Sequence, residues 1–438
     1  GIYSNTAQFG GGAYVTGSNS SLILQDGSVE GNQALDPSGV ANGGGAYVTG
    51  EALIYAGAAD IARNSAEFFG GGVYIAQDGV TGPTDLLFAN GTRVESNFAE
   101  FGGGLYLAED GSRATLDNAE LQANIAFTTG GAIRVFGDSE LSLENGTMIS
   151  GNVATYGGGL AIRDGSVAVP FSTVYANEAI RNGGGIYQTG GDLSAFETLI
   201  LGNQAEEGGG LYLYGATAVL TSAEVTENSA GRTGGGIAAV ANSELHMTAD
   251  PFCLSRPYRL PVHRYCSEVV YNDAQTQGAG VYVEGSRAYF TTTAFFGNEG
   301  KSNAGSSGAA LYAGPFADVS AVSALFTNNS ANANVAVYVE QDADFFSDNS
   351  TYAGNQDIPL FVNSGGSASL NRNIIWDNGY PADLRGSITS YCNNTQTSHA
   401  SLPSNKANIS QDPKFIVTAR GPYRLSRNSP AIDACTPG

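Results

Sequence analysis

The feature that most constrains this chain is one recurring sentence: Asn-x-Ala, a short gap, two or three glycines, then an apolar residue, a tyrosine and a second apolar residue. Asn203-Gln204-Ala205 followed by Gly208-Gly209-Gly210-Leu211-Tyr212-Leu213 is its clearest copy. The marker stands at Asn5, Asn32, Asn64, Asn97, Asn124, Asn152, Asn177, Asn203, Asn228 and Asn272, with looser copies at Asn298, Asn329, Asn355 and Asn378. Spacings are mostly 23 to 33 residues, with one of 44 between Asn228 and Asn272. A period of that size, with no helical apolar pattern inside it, is that of a solenoid whose coils are strands.

Within a coil the apolar residues alternate, which predicts strands. From Gly208 to Ala230, Leu211 and Leu213 point one way and Tyr212 the other. Ala218-Val219-Leu220-Thr221 reads as a second strand, and Val225, three residues before Asn228, marks a third. The same offset carries Val29, Ile61, Val94, Leu121, Ile149, Val174, Ile200, Phe295, Phe326 and Ile375, so it faces the core. Three short strands cannot bury a core alone, so each coil must stack in parallel on the next. The expected fold is an all-β, right-handed parallel β-helix of about 13–14 coils, the hand following the crossover preference of parallel strands. Asn64, Asn97, Asn124, Asn152, Asn177, Asn203 and Asn228 are expected to form an amide ladder at one bend, satisfying groups a buried turn would leave unpaired.

Residues 1–379 are read as the β-helix, with a loop inserted at 249–268, and residues 380–438 as an irregular C-terminal cap that blocks the last coil. The insertion carries Arg256, Arg259, Arg264 and His263, a basic stretch on a chain whose formal net charge is −22. So acidic a surface repels phosphate backbones, which argues against nucleic acid. The four cysteines, Cys253, Cys266, Cys392 and Cys435, all lie outside the regular repeat and are expected to form disulfides, paired by proximity as Cys253–Cys266 and Cys392–Cys435. Four cysteines allow three pairings. No run of 18 apolar residues occurs, so no transmembrane segment is expected. Gly1 falls inside a coil, and an upstream export signal is expected.

Asn203-Gln204-Ala205 to Tyr212, and Asn64-Ser65-Ala66 to Tyr74, resemble the repeats of right-handed parallel β-helix surface proteins, including the polymorphic outer membrane proteins and the pectin-lyase-like superfamily. The tail, Asp412-Pro413-Lys414-Phe415 through Asn428-Ser429-Pro430-Ala431-Ile432-Asp433, is similar to that of bacterial surface β-helix proteins that continue into a sorting anchor. The resemblance implies the right-handed fold and an extracellular or outer-surface location. It does not fix function, since the same coil supports adhesins, phage spikes and polysaccharide-cleaving enzymes.

Enzymes of that superfamily use clustered aspartates, with calcium and an arginine base or as acid, base and nucleophile. The best local candidates here are Arg134, standing where the repeat has tyrosine, with Arg163, Asp164, Arg181, Glu206 and Glu207 in following coils. His246, His263 and His399 are scattered, which supports neither a zinc site nor a serine–histidine triad. No cofactor is expected, calcium being left open, although the calcium-binding nonapeptide is absent from the sequence. Tyr14, Tyr47, Tyr74, Tyr106, Tyr187, Tyr212, Tyr282, Tyr312 and Tyr338 are expected to form an outward row, broken by Arg134, Ala161 and Ala238. Such a row covers the strand surface, or serves as a contact stripe for sugar rings or another rod. The sequence thus points to a secreted or cell-surface structural or adhesive protein that binds itself, a matrix polysaccharide or a surface protein, with Arg256, Arg259 and Arg264 as a docking loop. The runner-up is a polysaccharide lyase or glycoside hydrolase.

Overall fold

One turn of the chain shows how the repeat sentence becomes structure. In the computed structural model, Arg93–Glu95, Phe98–Phe101, Leu105–Leu107 and Arg113–Asp117 are four short strands, one in each of four parallel sheets, here numbered one to four in that order. Val94, Ala99, Leu105, Leu107, Ala114 and Leu116 point inward and are buried. The next turn lies on it in register, with Val94 opposite Leu121, Tyr106 opposite Arg134 and Leu116 opposite Leu143. The chain is an all-β parallel solenoid of right-handed type, with about 13 turns and no helix among the described residues. The described residues are 1–36, 39–77, 82–108, 111–250, 267–301, 307–332, 335–396, 407–418 and 421–432.

The sequence predicts three strands per turn, and the structure has four. The Asn-x-Ala marker does more than turn the chain: its x and Ala begin sheet two, as in Ser65–Ala66 and Gln204–Glu207. Ala66, Ala99 and Ala34 pack together inside, while x faces out.

Residues 1–218 form one compact unit. At its bend between sheets one and two the ladder is complete from Asn5 to Asn203. The backbone N–H and the side-chain amide of each Asn donate to Oδ1 of the Asn one turn on, as from Asn124 to Asn152 at 2.8 and 3.0 Å. Each Nδ2 also donates to the carbonyl of the apolar residue that ends the previous turn's sheet-one core position, Asn152 to Leu121 at 3.0 Å and Asn177 to Ile149 at 3.0 Å. The Asn and the apolar residue three before it therefore recur together because they are bonded across turns. At the next bend the glycines stack on one another. Gly183 has φ +69°, and a Cβ on Gly184 would lie 2.4 Å from the Gln204 carbonyl oxygen and 2.5 Å from that of Gly209. Only a bare backbone fits there.

Residues 219–438 form the second unit. Its amide ladder runs Asn228, Asn272, Asn298, Asn329, Asn355, Asn378. In its core Phe295, Phe326 and Tyr352 stack at 4.7 Å per step, and the Tyr352 hydroxyl bonds Ser347 at 2.7 Å. Strand stacking continues past residue 379: Ser387–Tyr391 pairs with Ser367–Asn371, and Asn394–Thr395 with Ile374–Trp376. A second amide ladder appears at the bend between sheets four and one, where Ser350 N–H donates to Asn373 Oδ1 and Asn373 N–H to Asn393 Oδ1, both at 2.9 Å. Phe415–Thr418 and Gly421–Leu425 form an antiparallel hairpin. Most of the 249–268 insertion, including Cys253, Arg256, Arg259, His263, Arg264 and Cys266, lies outside the described residues, as do His399 and Cys435. Cys392 is buried.

Candidate functional site

The tyrosines are in register on the outer side of sheet three and do form a row. In the first unit Tyr14, Tyr47, Tyr74 and Tyr106 follow one another at ring-centroid distances of 5.2, 4.8 and 5.5 Å, and Tyr187 and Tyr212 at 5.7 Å. In the second, Tyr282, Tyr312, Tyr338 and Phe361 follow at 5.5, 5.0 and 4.9 Å. The row is not the open surface that a strand's outward positions suggest. Tyr47, Tyr106, Tyr212, Tyr282 and Tyr312 are buried, Tyr74, Tyr187 and Tyr338 half-buried, and only Tyr14 is exposed.

Two causes bury it. Each ring covers the face of the next, so that mostly edges remain. A second column, from the residue just before the glycines, leans against it: Phe9 on Tyr47 at 5.4 Å, Phe69 on Tyr106 at 4.6 Å, Tyr156 on Tyr187 at 5.2 Å. Side chains leaving adjacent sheets by their outer faces meet only if the bend between those sheets is concave, so the glycine bend is a re-entrant corner lined with rings. Burial, with Glu207 next in effect, pushes the Tyr212 phenol up to about 12, and burial likewise raises Tyr187.

Arg134 interrupts the first row. It stands opposite Tyr106 and Ala161, and although it is an arginine on an outward position it is only 7% exposed. Its guanidinium carbon lies 5.6 Å from the centre of the Phe136 ring, with that of Arg163 at 5.1 Å from the same ring. Among the described residues it has no carboxylate within ion-pair distance. Burial lowers its pKa, and Arg163 adds to the lowering. The long aliphatic stem spans the place where Ala161 leaves a ring out.

Of the other candidates Arg163 and Asp164 lie near it, and Arg181, Glu206 and Glu207 are on sheet two. Arg163 and Asp164 approach to 3.9 Å at the end of the strand that carries Ala161, Arg181 pairs with Glu206 at 3.7 Å on sheet two, and Asn182 donates to Glu207 at 3.4 Å. The six residues are thus spread over four successive turns, with Arg163 beside Asp164, Arg181 beside Glu206, Glu207 beside Asn182, and Arg134, among the described residues, in no ion pair. His246 stacks on Tyr289 at 4.7 Å and bonds Glu244 at 2.8 Å. The docking loop of Arg256, Arg259 and Arg264 lies outside the described residues.

One surface feature escaped the sequence reading. The x of Asn-x-Ala faces outward on sheet two, and it is Thr6, Gln33, Ser65, Glu178 and Gln204 along the first unit. In three consecutive turns it is instead Phe98, Ile125 and Val153, paired in register. Phe127 and Ile180 join them on the same face, and Phe98, Ile125, Phe127 and Ile180 are 47, 46, 69 and 66% exposed. The signal was present in the sequence as a polar column that turns apolar over three turns. Reading it needed the knowledge that x points out.

No family model, curated protein or solved structure matches the chain.

Proposed function

We propose that this chain is a secreted or cell-surface structural and adhesive β-solenoid that associates with copies of itself. The observation that carries the reading is the placing of Asp164 apart from Glu206 and Glu207, on a different turn and beyond a different sheet, set beside a delimited apolar surface on sheet two. General acid–base chemistry on a sugar needs two carboxyl groups facing one bond, about 5–9 Å apart. Here Asp164 and Glu206 each face an arginine of their own. Exposed apolar side chains grouped over neighbouring turns, with only Thr155 between Phe127 and Ile180, on a chain of charge −22 instead suit a contact. The extracellular location, the disulfides Cys253–Cys266 and Cys392–Cys435, and kinship with right-handed β-helix surface proteins belong to this proposal and rest on the sequence.

The runner-up, a polysaccharide lyase or glycoside hydrolase, is favoured by one observation, the buried cation of Arg134 with Arg163 beside it. Incubation with acidic and neutral polysaccharides, assayed for new reducing ends and for unsaturated products, separates the two readings. Self-association with no turnover is the expected result. Turnover abolished by Arg134→Ala or Glu207→Gln would overturn the proposal.

A further inference from the structure

The apolar surface on sheet two is sharply bounded. Along the x column it begins at Phe98, after Ser65, and ends at Val153, before Glu178. Acidic residues border it: Glu100 and Glu178 on the strands of Phe98 and Ile180 themselves, Glu67 and Glu206 in the turns beyond, with Arg181 the one guanidinium on these described strands. An occupant that fits must therefore bring apolar side chains together with positive charge and no carboxylates.

This chain contains such a stretch. Between Pro251 and Cys266 the sequence has Phe252, Leu254, Tyr258, Leu260, Val262 and Tyr265 interleaved with Arg256, Arg259, Arg264 and His263, and not one Asp or Glu. On a protein where Asp plus Glu outnumber Lys plus Arg by 41 to 19, a stretch with three arginines and no acid is the complement of that rim. We propose that the patch of Phe98, Ile125, Phe127, Val153 and Ile180 receives residues 251–266 of a second copy of this chain. The contact joins two different surfaces, so each copy keeps a free patch and a free segment, and the assembly extends until one is blocked. This deepens the self-associating reading above and rests on it.

The test is sedimentation velocity of the full chain over a range of concentration and salt, with two variants. One carries Phe127→Ser and Ile180→Ser, both exposed, so circular dichroism and thermal unfolding should match the parent. The other carries Arg256→Glu, Arg259→Glu and Arg264→Glu. The parent should form concentration-dependent oligomers that weaken with salt, and each variant alone should associate about 30-fold more weakly. Mixing the two differently labelled variants should restore one contact, because one contributes an intact segment and the other an intact patch. Oligomers that persist unchanged in both variants would overturn this pairing and leave self-association standing. So would variants that both lose association but fail to recover it on mixing. A parent that stays monomeric at every concentration and salt would overturn the self-associating reading itself.

Discussion

Arg134 lies one turn along from Tyr106, in register with it, and fills the position that a tyrosine ring holds in the turns before. Burying a guanidinium there without a carboxylate is a cost that a ring would not incur. Arg134→Tyr should extend the row of Tyr74 and Tyr106, raising the apparent unfolding free energy by about 1 kcal/mol. Arg134→Ala should lower it by about 2 kcal/mol, by uncovering Ala161 and Phe136. Denaturant unfolding of the three proteins checks both signs. A lower value for Arg134→Tyr would mean that the cation meets a need which packing does not describe.

The amide ladder makes a sharper prediction. Asn152 accepts from the Asn124 backbone and amide and donates to Asn177 and Leu121. Asn152→Ala removes the acceptor of the buried Asn124 backbone N–H and the donor to the Leu121 carbonyl, while Asn177 Oδ1 keeps the residue-152 backbone N–H and the Asn124 amide keeps the Val94 carbonyl, so the loss should be about 2–4 kcal/mol. Asn152→Asp keeps the acceptor but loses the donor and buries a charge, so it should be no better. Native-state hydrogen exchange should show protection falling first in the turns next to residue 152.

The two kinds of glycine should part company. Gly184→Ala places a Cβ against two carbonyl oxygens of the following turn, and a loss of about 3 kcal/mol is expected. Gly151 has φ +62° and nothing within 4 Å, and Arg63, Ser96, Ala123 and Ala176 adopt the same backbone at the equivalent position before the marker Asn. Gly151→Asn should therefore change stability by no more than about 0.5 kcal/mol. Thermal melts of both variants test the contrast.

Alkaline stability follows from the tyrosine rows. Folding raises the Tyr212 phenol from its ordinary value of 10.0 to about 12, so the folded chain keeps a proton that the unfolded chain has released. That contribution is fully present below about pH 10 and is lost as pH rises toward 12. Burial acts in the same direction on Tyr187 and on the fully enclosed Tyr352. Part of the phenolate absorbance should appear only as the β-sheet circular dichroism collapses. A single reversible ionisation of all tyrosines with the sheet intact would count against closed rows.

The period, the parallel stacking and the first amide ladder were legible because they are written as repetition: Asn152 and Leu121 recur together since each turn bonds the next through them. The fourth strand was not, because Ser65–Ala66 offers one inward alanine and no alternation to count. From the sequence Tyr106 reads as open, because a strand's outer face normally meets solvent. Phe69, which covers it, precedes the glycines in another turn and belongs to the opposite wall of a concave corner. Asn373 and Asn393 give no repeat to count, since Thr147, Ser172, Thr198 and Ser350 hold that bend in other turns. Of the candidate site, the alignment of Arg134 with the tyrosines was legible. The separation of Asp164 from Glu206 was not, as it depends on which sheet each residue enters.

The ladder from Asn5 to Asn203 also has a sense of direction. Along it each amide sends one N–H to the Oδ1 of the following turn and donates also to a carbonyl of the preceding turn, while its own Oδ1 faces the donors of the preceding Asn, as Asn124, Asn152 and Asn177 show. Turning one amide round would set NH2 against NH2 on one side and oxygen against oxygen on the other. No member can therefore be reoriented alone: within each unit the orientation is a collective choice, made once and inherited turn by turn. Such a column of aligned dipoles behaves as a single polarised thread, and a growing chain that adds a turn adds it to a template whose polarity is already decided.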